Sequence, residues 1–396
     1  MKIAVYHNLP SGGAKRSLYE LISRSALNHD YMLYRPAIEE NESYMDLRPL
    51  VRSEHVFGFQ GLEPDMLAHK NIIERRKIMR KFYRLETEIA NAINKSDVDV
   101  VFVTSCMFTH SPGVLCAINK PSIYYLHEPR RQSFEFNLSP LMERLSRVGS
   151  RGSKVNWLLR QSFDIDAMAR DIKSVRAASR VLCNSFYTHE SALRSYGVDT
   201  EVCYFGVDQR FKSESSASKQ SRESILVVGA LHPNKNQLLM IEAIGLMPEK
   251  KRPTLECVFD RSEESYKQQL INGAKELGVD LVLSYRLPDS ELVKKYASAT
   301  AVACLAELEP FGFTPLEANL AGTPVIALKE GGYRETVIDG ETGLFVSRDS
   351  HIVKDAVMQV SEKNWDQAKL RKHAGQWSWQ RTVAQYERTL QELDRG

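Results

Sequence analysis

The chain has 396 residues, more than one hydrophobic core usually organises, so two domains are expected. Hydrophobic residues make up 43% and charged residues 26%, and the formal net charge is +3. That composition excludes a disordered or fibrous chain, and its charge is too mild to argue for nucleic acid as a partner.

Strand-like and helix-like segments alternate from end to end, the pattern of parallel sheets with helices on both faces. The N-terminus opens with a buried strand over Ile3–His7. Its apolar run is too short for a signal peptide. Gly12-Gly13 follows, then an amphipathic helix over Ala14–Leu27. Read alone, the double glycine is a turn; no third glycine and no acidic residue fall at the spacing of a dinucleotide fingerprint. Further strands are expected at Val100–Thr104, Ser122–His127, Arg180–Asn184 and Val202–Phe205. Residues 100–119 lack Lys, Arg, Asp and Glu, but Pro112 and Gly113 make that stretch strand plus loop, not a membrane span. Asp97-Val-Asp99 precedes its strand and reads as a solvated turn, not a metal pair. The six cysteines form no C-x-x-C pair and read as buried free thiols in a reducing compartment, so a cytoplasmic chain is expected.

Two basic clusters stand out in this half. Residues 70–84 hold seven cations against Glu74, and residues 130–160 hold seven against Glu135 and Glu143, with Trp157, Leu158 and Leu159 interleaved. Each admits two readings, a solvated cationic helix, or peripheral contact with an anionic membrane at its inner face or with a lipid-phosphate acceptor.

Residues 212–223, KSESSASKQSRE, are polar and Ser-rich and read as a linker. Strands resume at Ile225–Val228, Leu255–Phe259, Leu281–Tyr285, Ala301–Leu305 and Pro324–Leu328. The expected division is therefore 1–211 with 379–396, the linker, and 224–378. Two doubly wound domains of this kind bind ligands at the carboxyl ends of their strands.

The segment Glu309-Pro-Phe311-Gly312-Phe313-Thr314-Pro-Leu-Glu317 carries the most chemistry. A helix is expected to start with Thr314 as N-cap and Pro315 at its first position, and amides at such a start suit a phosphate. By themselves, Thr314 and Glu317 could equally form a capping box, and Glu309 could be a solvated carboxylate. The whole string resembles the E-x7-E signature of glycosyltransferase family 4, the GT-B-fold retaining enzymes. The resemblance continues through Gly331-Gly332-Tyr333-Arg334-Glu335 and Asp339-Gly340-Glu341-Thr342-Gly343-Leu344. It extends to Gly229-Ala230-Leu231-His232-Pro233-Asn234-Lys235, to Tyr124-Tyr125-Leu126-His127-Glu128-Pro129, and to Trp377-Ser378-Trp379 before the last helix.

The resemblance implies two Rossmann-like domains facing a cleft, with the C-terminal helix crossing back to the first. It implies retaining, metal-independent transfer of a sugar from a UDP- or GDP-sugar co-substrate to a hydroxyl acceptor, a lipid-linked or polysaccharide glycan, with no further cofactor. Lys235 and the Phe311–Thr314 amides would then hold the diphosphate, Glu309 the sugar hydroxyls and Glu317 the ribose. Backbone near Arg286 and Leu287 would frame the base, Gly12 and Gly13 would approach the phosphates, and His127 would contact the sugar. The family carries an arginine directly after the glycine of the lysine loop; here Ala230 stands, so one of the two expected diphosphate cations is missing unless His232 or a residue elsewhere compensates. A sugar-nucleotide epimerase, a phosphorylase, or an inactive donor-binding protein remain the alternatives.

Overall fold

The computed structural model describes residues 1–10, 12–37, 44–59, 70–130, 151–212 and 223–395; side chains of 151–161, 394 and 395 are not described. The chain divides into two compact units, Met1–Tyr204 with Trp379–Gly396, and Phe205–Ser378. Nearly all of the expected linker, residues 213–222, lies outside the described residues. So does residue range 131–150 of the second basic cluster; residues 151–160 are seen only as backbone of the helix Arg151–Ala177.

The first unit is built on a seven-stranded sheet in the order β3-β2-β1-β4-β5-β6-β7. Its strands are β1 (Lys2–Asn8), β2 (Asp30–Ala37), β3 (Ser53–Gly58), β4 (Val100–Cys106), β5 (Ser122–Leu126), β6 (Arg180–Cys183) and β7 (Glu201–Val202). All adjacent pairs run parallel, with Ile3 opposite Val100 and Tyr31. Helices on both faces bury the central strands completely, which is why β1 and β4 read as continuous apolar runs. The strand expected over residues 202–205 is shorter, because the chain passes into the second unit at Phe205. The last helix, Trp379–Arg395, packs on the first unit, as the resemblance implied. His29 Nε2 meets Glu387 at 2.6 Å, and Thr382 Oγ1 donates to the Tyr204 carbonyl at 2.6 Å.

Five of the six cysteines are buried free thiols; Cys116 is exposed in a short 3-10 turn.

The helix Ile72–Lys95 starts on the Asn71 side chain, which accepts from the amides of Ile73 and Glu74. It buries Met79, Phe82, Glu86, Ile89 and Ile93, one face at helical spacing. Glu86 is thus a carboxyl in a hydrophobic stripe. Its Oε1 accepts from Tyr6 Oη at 3.1 Å and from the Gly113 amide at 3.0 Å, while Oε2 has no partner among the described residues. Burial pushes its pKa from 4.5 up to about 8.

Between those values the unfolded chain has released a proton that the folded protein keeps. Stability should therefore fall as pH rises from about 4.5 towards about 8. Glu86→Gln should flatten that slope, read as melting temperature against pH for both proteins. Parallel profiles would sink the assignment of a protonated Glu86.

The second unit carries a six-stranded sheet in the order β10-β9-β8-β11-β12-β13. Its strands are β8 (Ser224–Val228), β9 (Thr254–Phe259), β10 (Leu281–Tyr285), β11 (Ala301–Cys304), β12 (Val325–Leu328) and β13 (Gly343–Val346), all adjacent pairs parallel. The winding reverses between β8 and β11. A crevice at the carboxyl ends of two such strands is where an open α/β sheet places its ligand.

Candidate functional site

Lys235 and Glu309 follow β8 and β11, the two strands at the reversal. After β8 the chain turns at Gly229 (φ +146°), where an added Cβ would lie 3.9 Å from Lys235 Cε. His232 then caps the 3-10 turn Pro233–Lys235 through its ring, accepting from the Asn234 amide at 3.3 Å. Nδ1 thereby serves the turn, while Nε2 lies 3.8 Å from Glu263 Oε2. Ala230 offers its carbonyl to Gln237 Nε2 at 2.9 Å. Asn236 has φ +54° and ties this loop to the end of β11, donating from Nδ2 to the Leu305 carbonyl at 2.9 Å. The Lys235 ammonium consequently donates to Glu309 Oε2 at 2.7 Å, both side chains remaining about one-quarter to one-third exposed.

The loop after β11 is held in a costly conformation. Leu308 has φ +46°, a region that costs a non-glycine residue about 1–2 kcal/mol. The glycine pair behind it makes the fold possible. Gly332 donates its amide to the Glu309 carbonyl at 2.8 Å. A Cβ on Gly331 would sit 2.4 Å from that same carbonyl oxygen, and one on Gly332 2.6 Å from those of Pro310 and Phe311. Tyr333, fully buried behind them, hydrogen-bonds the backbone of Ala306 and presses its ring against Gly312.

The helix that follows corrects one expectation. It spans Phe313–Ala321, with Gly312 (φ +93°) and not Thr314 as N-cap, and no side chain caps it. The glycine's left-handed backbone turns the chain into the helix two residues earlier, so Pro315 falls at the third position, still within the turn whose amides have no intrahelical partner. No capping box forms. Glu317 instead lies one turn in, nearly buried, accepting from Tyr296 Oη at 2.7 Å, with the Thr314 hydroxyl on the same phenol. Phe311 and Phe313 pack with Phe205 and Trp377 at centroid distances of 5.3–5.5 Å, so it is their backbone that borders the helix start.

Arg286, directly after β10, has φ +49°, its amide bound to the Phe259 carbonyl at 2.9 Å and its guanidinium over the Tyr285 ring. Leu287 is partly buried beside it. These two sit at the far edge of the sheet, whereas Lys235, Glu309, Gly312, Thr314 and Glu317 gather at the reversal.

In the first unit the sheet reverses between β1 and β4. Gly12 (φ +140°) caps the helix Gly13–Ser25 beyond β1 without a side-chain bond. A pocket at these strand ends is lined by His7, Asn8, Lys15, Arg35, Asp46 and Arg48, among others. Arg35 pairs with Glu54 at 2.6 Å and Arg48 with Asp46 at 2.9 Å. Burial, then the charges of Lys15 and Arg35, hold His7 down at about 3. None of these was singled out from the sequence. The signal available was His7 closing the first strand just ahead of the double glycine. His127 follows β5, is buried, and is held neutral by burial with a pKa of about 3. Its ring lies 5.2 Å from that of Tyr125, and its carbonyl accepts from Asn184 Nδ2 at 2.9 Å.

Residues 208–377 match the family model for glycosyl transferases group 1. A D-inositol 3-phosphate glycosyltransferase of Corynebacterium glutamicum (strain R) is 32% identical over 207 residues, 48% of this chain and 49% of that protein. One from Paenarthrobacter aurescens is 29% identical over 234 residues, 53% and 56% of the two chains. The chain thus spans about half the length of the curated relatives it matches. Among solved structures, Anabaena Alr3699/HepE in complex with UDP-glucose superposes with a TM-score of 0.73 at 19% identity, over 99% of this chain and 100% of that one. Sucrose-phosphate synthase from Thermosynechococcus elongatus gives 0.72 at 17%, over 99% of both. Residues 208–377, nearly the whole of the second unit, thus match the glycosyl transferases group 1 family, on a chain with the GT-B fold.

Proposed function

We propose that the chain is a retaining, metal-independent glycosyltransferase that moves a sugar from a UDP- or GDP-sugar to a hydroxyl of a lipid-linked or polysaccharide glycan. The observation that carries this reading is the 2.7 Å pair of Lys235 and Glu309 beside the helix that opens at Gly312. A cation, a carboxylate and a row of helix-start amides suit a diphosphate joined to a polyhydroxyl ring. The nucleotide class is supported by HepE, whose solved complexes hold UDP and UDP-glucose.

In this reading Lys235 and the first-turn amides around Gly312 and Thr314 stabilise charge growing on the departing diphosphate, the task a metal performs elsewhere. Glu309 accepts from sugar hydroxyls. Glu317, fixed by Tyr296, accepts from the ribose, and the backbone at Arg286 and Leu287 borders the base. The bond from the anomeric carbon to the phosphate oxygen breaks as the acceptor oxygen bonds to the same face. The acceptor's proton passes to the leaving phosphate. His127 is assigned to sugar contact. Its neutral imidazole suits a hydrogen bond without adding charge. The pocket of Lys15, Arg35 and Arg48 is assigned to the acceptor, and its cations suit an acceptor bearing an anionic group.

The test is a transfer assay with UDP- and GDP-sugars and extracted glycan or lipid-linked acceptors, with anomeric analysis of the product. Free nucleoside diphosphate plus a glycoside of unchanged anomeric configuration is expected. An isomerised sugar nucleotide would overturn the reading. Activity in excess EDTA is expected to match that without it; strict dependence on added manganese or magnesium would remove the metal-independent mechanism.

A further inference from the structure

We propose that Arg348 is a positioning residue for the donor site, acting through Glu307 and Glu330 to hold the strained turn at Leu308 that presents Glu309. The inference rests on the reading of Lys235 and Glu309 as the donor grip. Arg348 lies just beyond β13, two strands from the reversal, and its guanidinium reaches back over the carboxyl ends of β12 and β11. Nε and Nη2 meet the two carboxylate oxygens of Glu330 at 2.8 and 2.6 Å, a fork on a single carboxylate, while Nη1 meets Glu307 Oε1 at 2.7 Å. Glu330 Oε2 in turn accepts from the Leu308 amide at 3.4 Å. The Glu307 amide donates to the Asn234 carbonyl at 2.9 Å, one residue from Lys235.

One cation thereby ties together three strand ends and the loops that carry both members of the Lys235–Glu309 pair. The left-handed backbone at Leu308 persists only where its surroundings over-determine it, and these bonds are the restraints on its flanks. The three charged side chains are 23–36% exposed, so as a surface cluster they should contribute little to global stability. A role in placing the loop predicts the opposite weighting, a small effect on melting and a large one on donor binding. The planar fork also predicts that lysine cannot replace the arginine, since an ammonium is a single point charge.

Arg348→Ala is expected to change the melting temperature by no more than about 3 °C and to raise the dissociation constant for UDP-sugar or GDP-sugar about five- to twentyfold. Arg348→Lys should recover less than half of that loss on a logarithmic scale. Glu330→Gln, which preserves shape, should weaken binding similarly, and the double variant should be no worse than either single one. Lys235→Ala is run alongside. If it weakens donor binding and the Arg348 and Glu330 variants do not, the positioning role is overturned while the donor site stands. If Lys235→Ala itself leaves binding unchanged, the donor-site reading fails first. A large loss of melting temperature in Arg348→Ala together with normal binding by Glu330→Gln would make the cluster structural only.

Discussion

Lys235→Ala is expected to weaken nucleotide-sugar binding about ten- to a hundredfold while leaving the fold intact. A hydrogen bond to a charged group contributes about 1.5–3 kcal/mol, which spans that range of affinity. In the free protein the ammonium is already engaged, at 2.7 Å from Glu309 Oε2. That pair is partly exposed, so its loss should cost the fold about 1 kcal/mol or less. Its loss from the site is more serious. Without the ammonium, the Glu309 carboxylate would face an incoming diphosphate with no lysine between them, and Ala230 brings no charge to this loop. The effect should therefore lie at the upper end of the range. Titration of nucleoside diphosphate and of the intact sugar nucleotide, beside a melting curve, separates the two contributions. Unchanged affinity for both ligands would remove Lys235 from the site.

Lys235, Glu309 and the helix opening at Gly312 were legible because their signals are local: a glycine turn, a charged residue and a helix start follow one another within a few residues of a buried strand. The alternation of segments gave the two sheets for a similar reason, since strands covered on both faces are apolar throughout. β2, β3 and β13 escaped notice. β2 mixes Arg35 and Pro36 into its run, and β3 is an edge strand with Glu54 and His55, polar as unprotected edges tend to be. β13 has four residues beginning with glycine. The start of the site helix was read two residues late, because Pro315 after a threonine mimics a capped start, whereas a left-handed glycine did the turning. The bond between Tyr296 and Glu317 joins residues 21 apart through packing that no periodicity announces. The same is true of the Lys15, Arg35 and Arg48 pocket, where three ordinary surface cations converge only once β1 and β2 lie side by side.

Gly331→Ala should be among the most damaging single-methyl changes in the second unit, and Gly340→Ala shows how much of that damage is steric. Both glycines have left-handed backbone, φ +52° at Gly331 and +72° at Gly340. Alanine in that region costs about 1–2 kcal/mol whatever surrounds it. At Gly340 an added Cβ meets nothing within 4 Å, so the backbone term should be the whole effect, and donor binding should be unchanged. At Gly331 the Cβ would lie 2.4 Å from the carbonyl oxygen and 2.9 Å from the amide nitrogen of Glu309. Those are backbone atoms and cannot swing aside as a side chain would. Overpacking adds about 1–3 kcal/mol, bringing the total to about 2–5 kcal/mol. The relief available is to push residues 308–310 away from the glycine pair, which breaks the bond from the Gly332 amide to the Glu309 carbonyl and carries Glu309 off Lys235. The folded fraction of Gly331→Ala should therefore bind donor at least tenfold more weakly than wild type. Equal melting temperatures and equal donor affinities for the two variants would mean that the glycine pair does not shape the Glu309 loop.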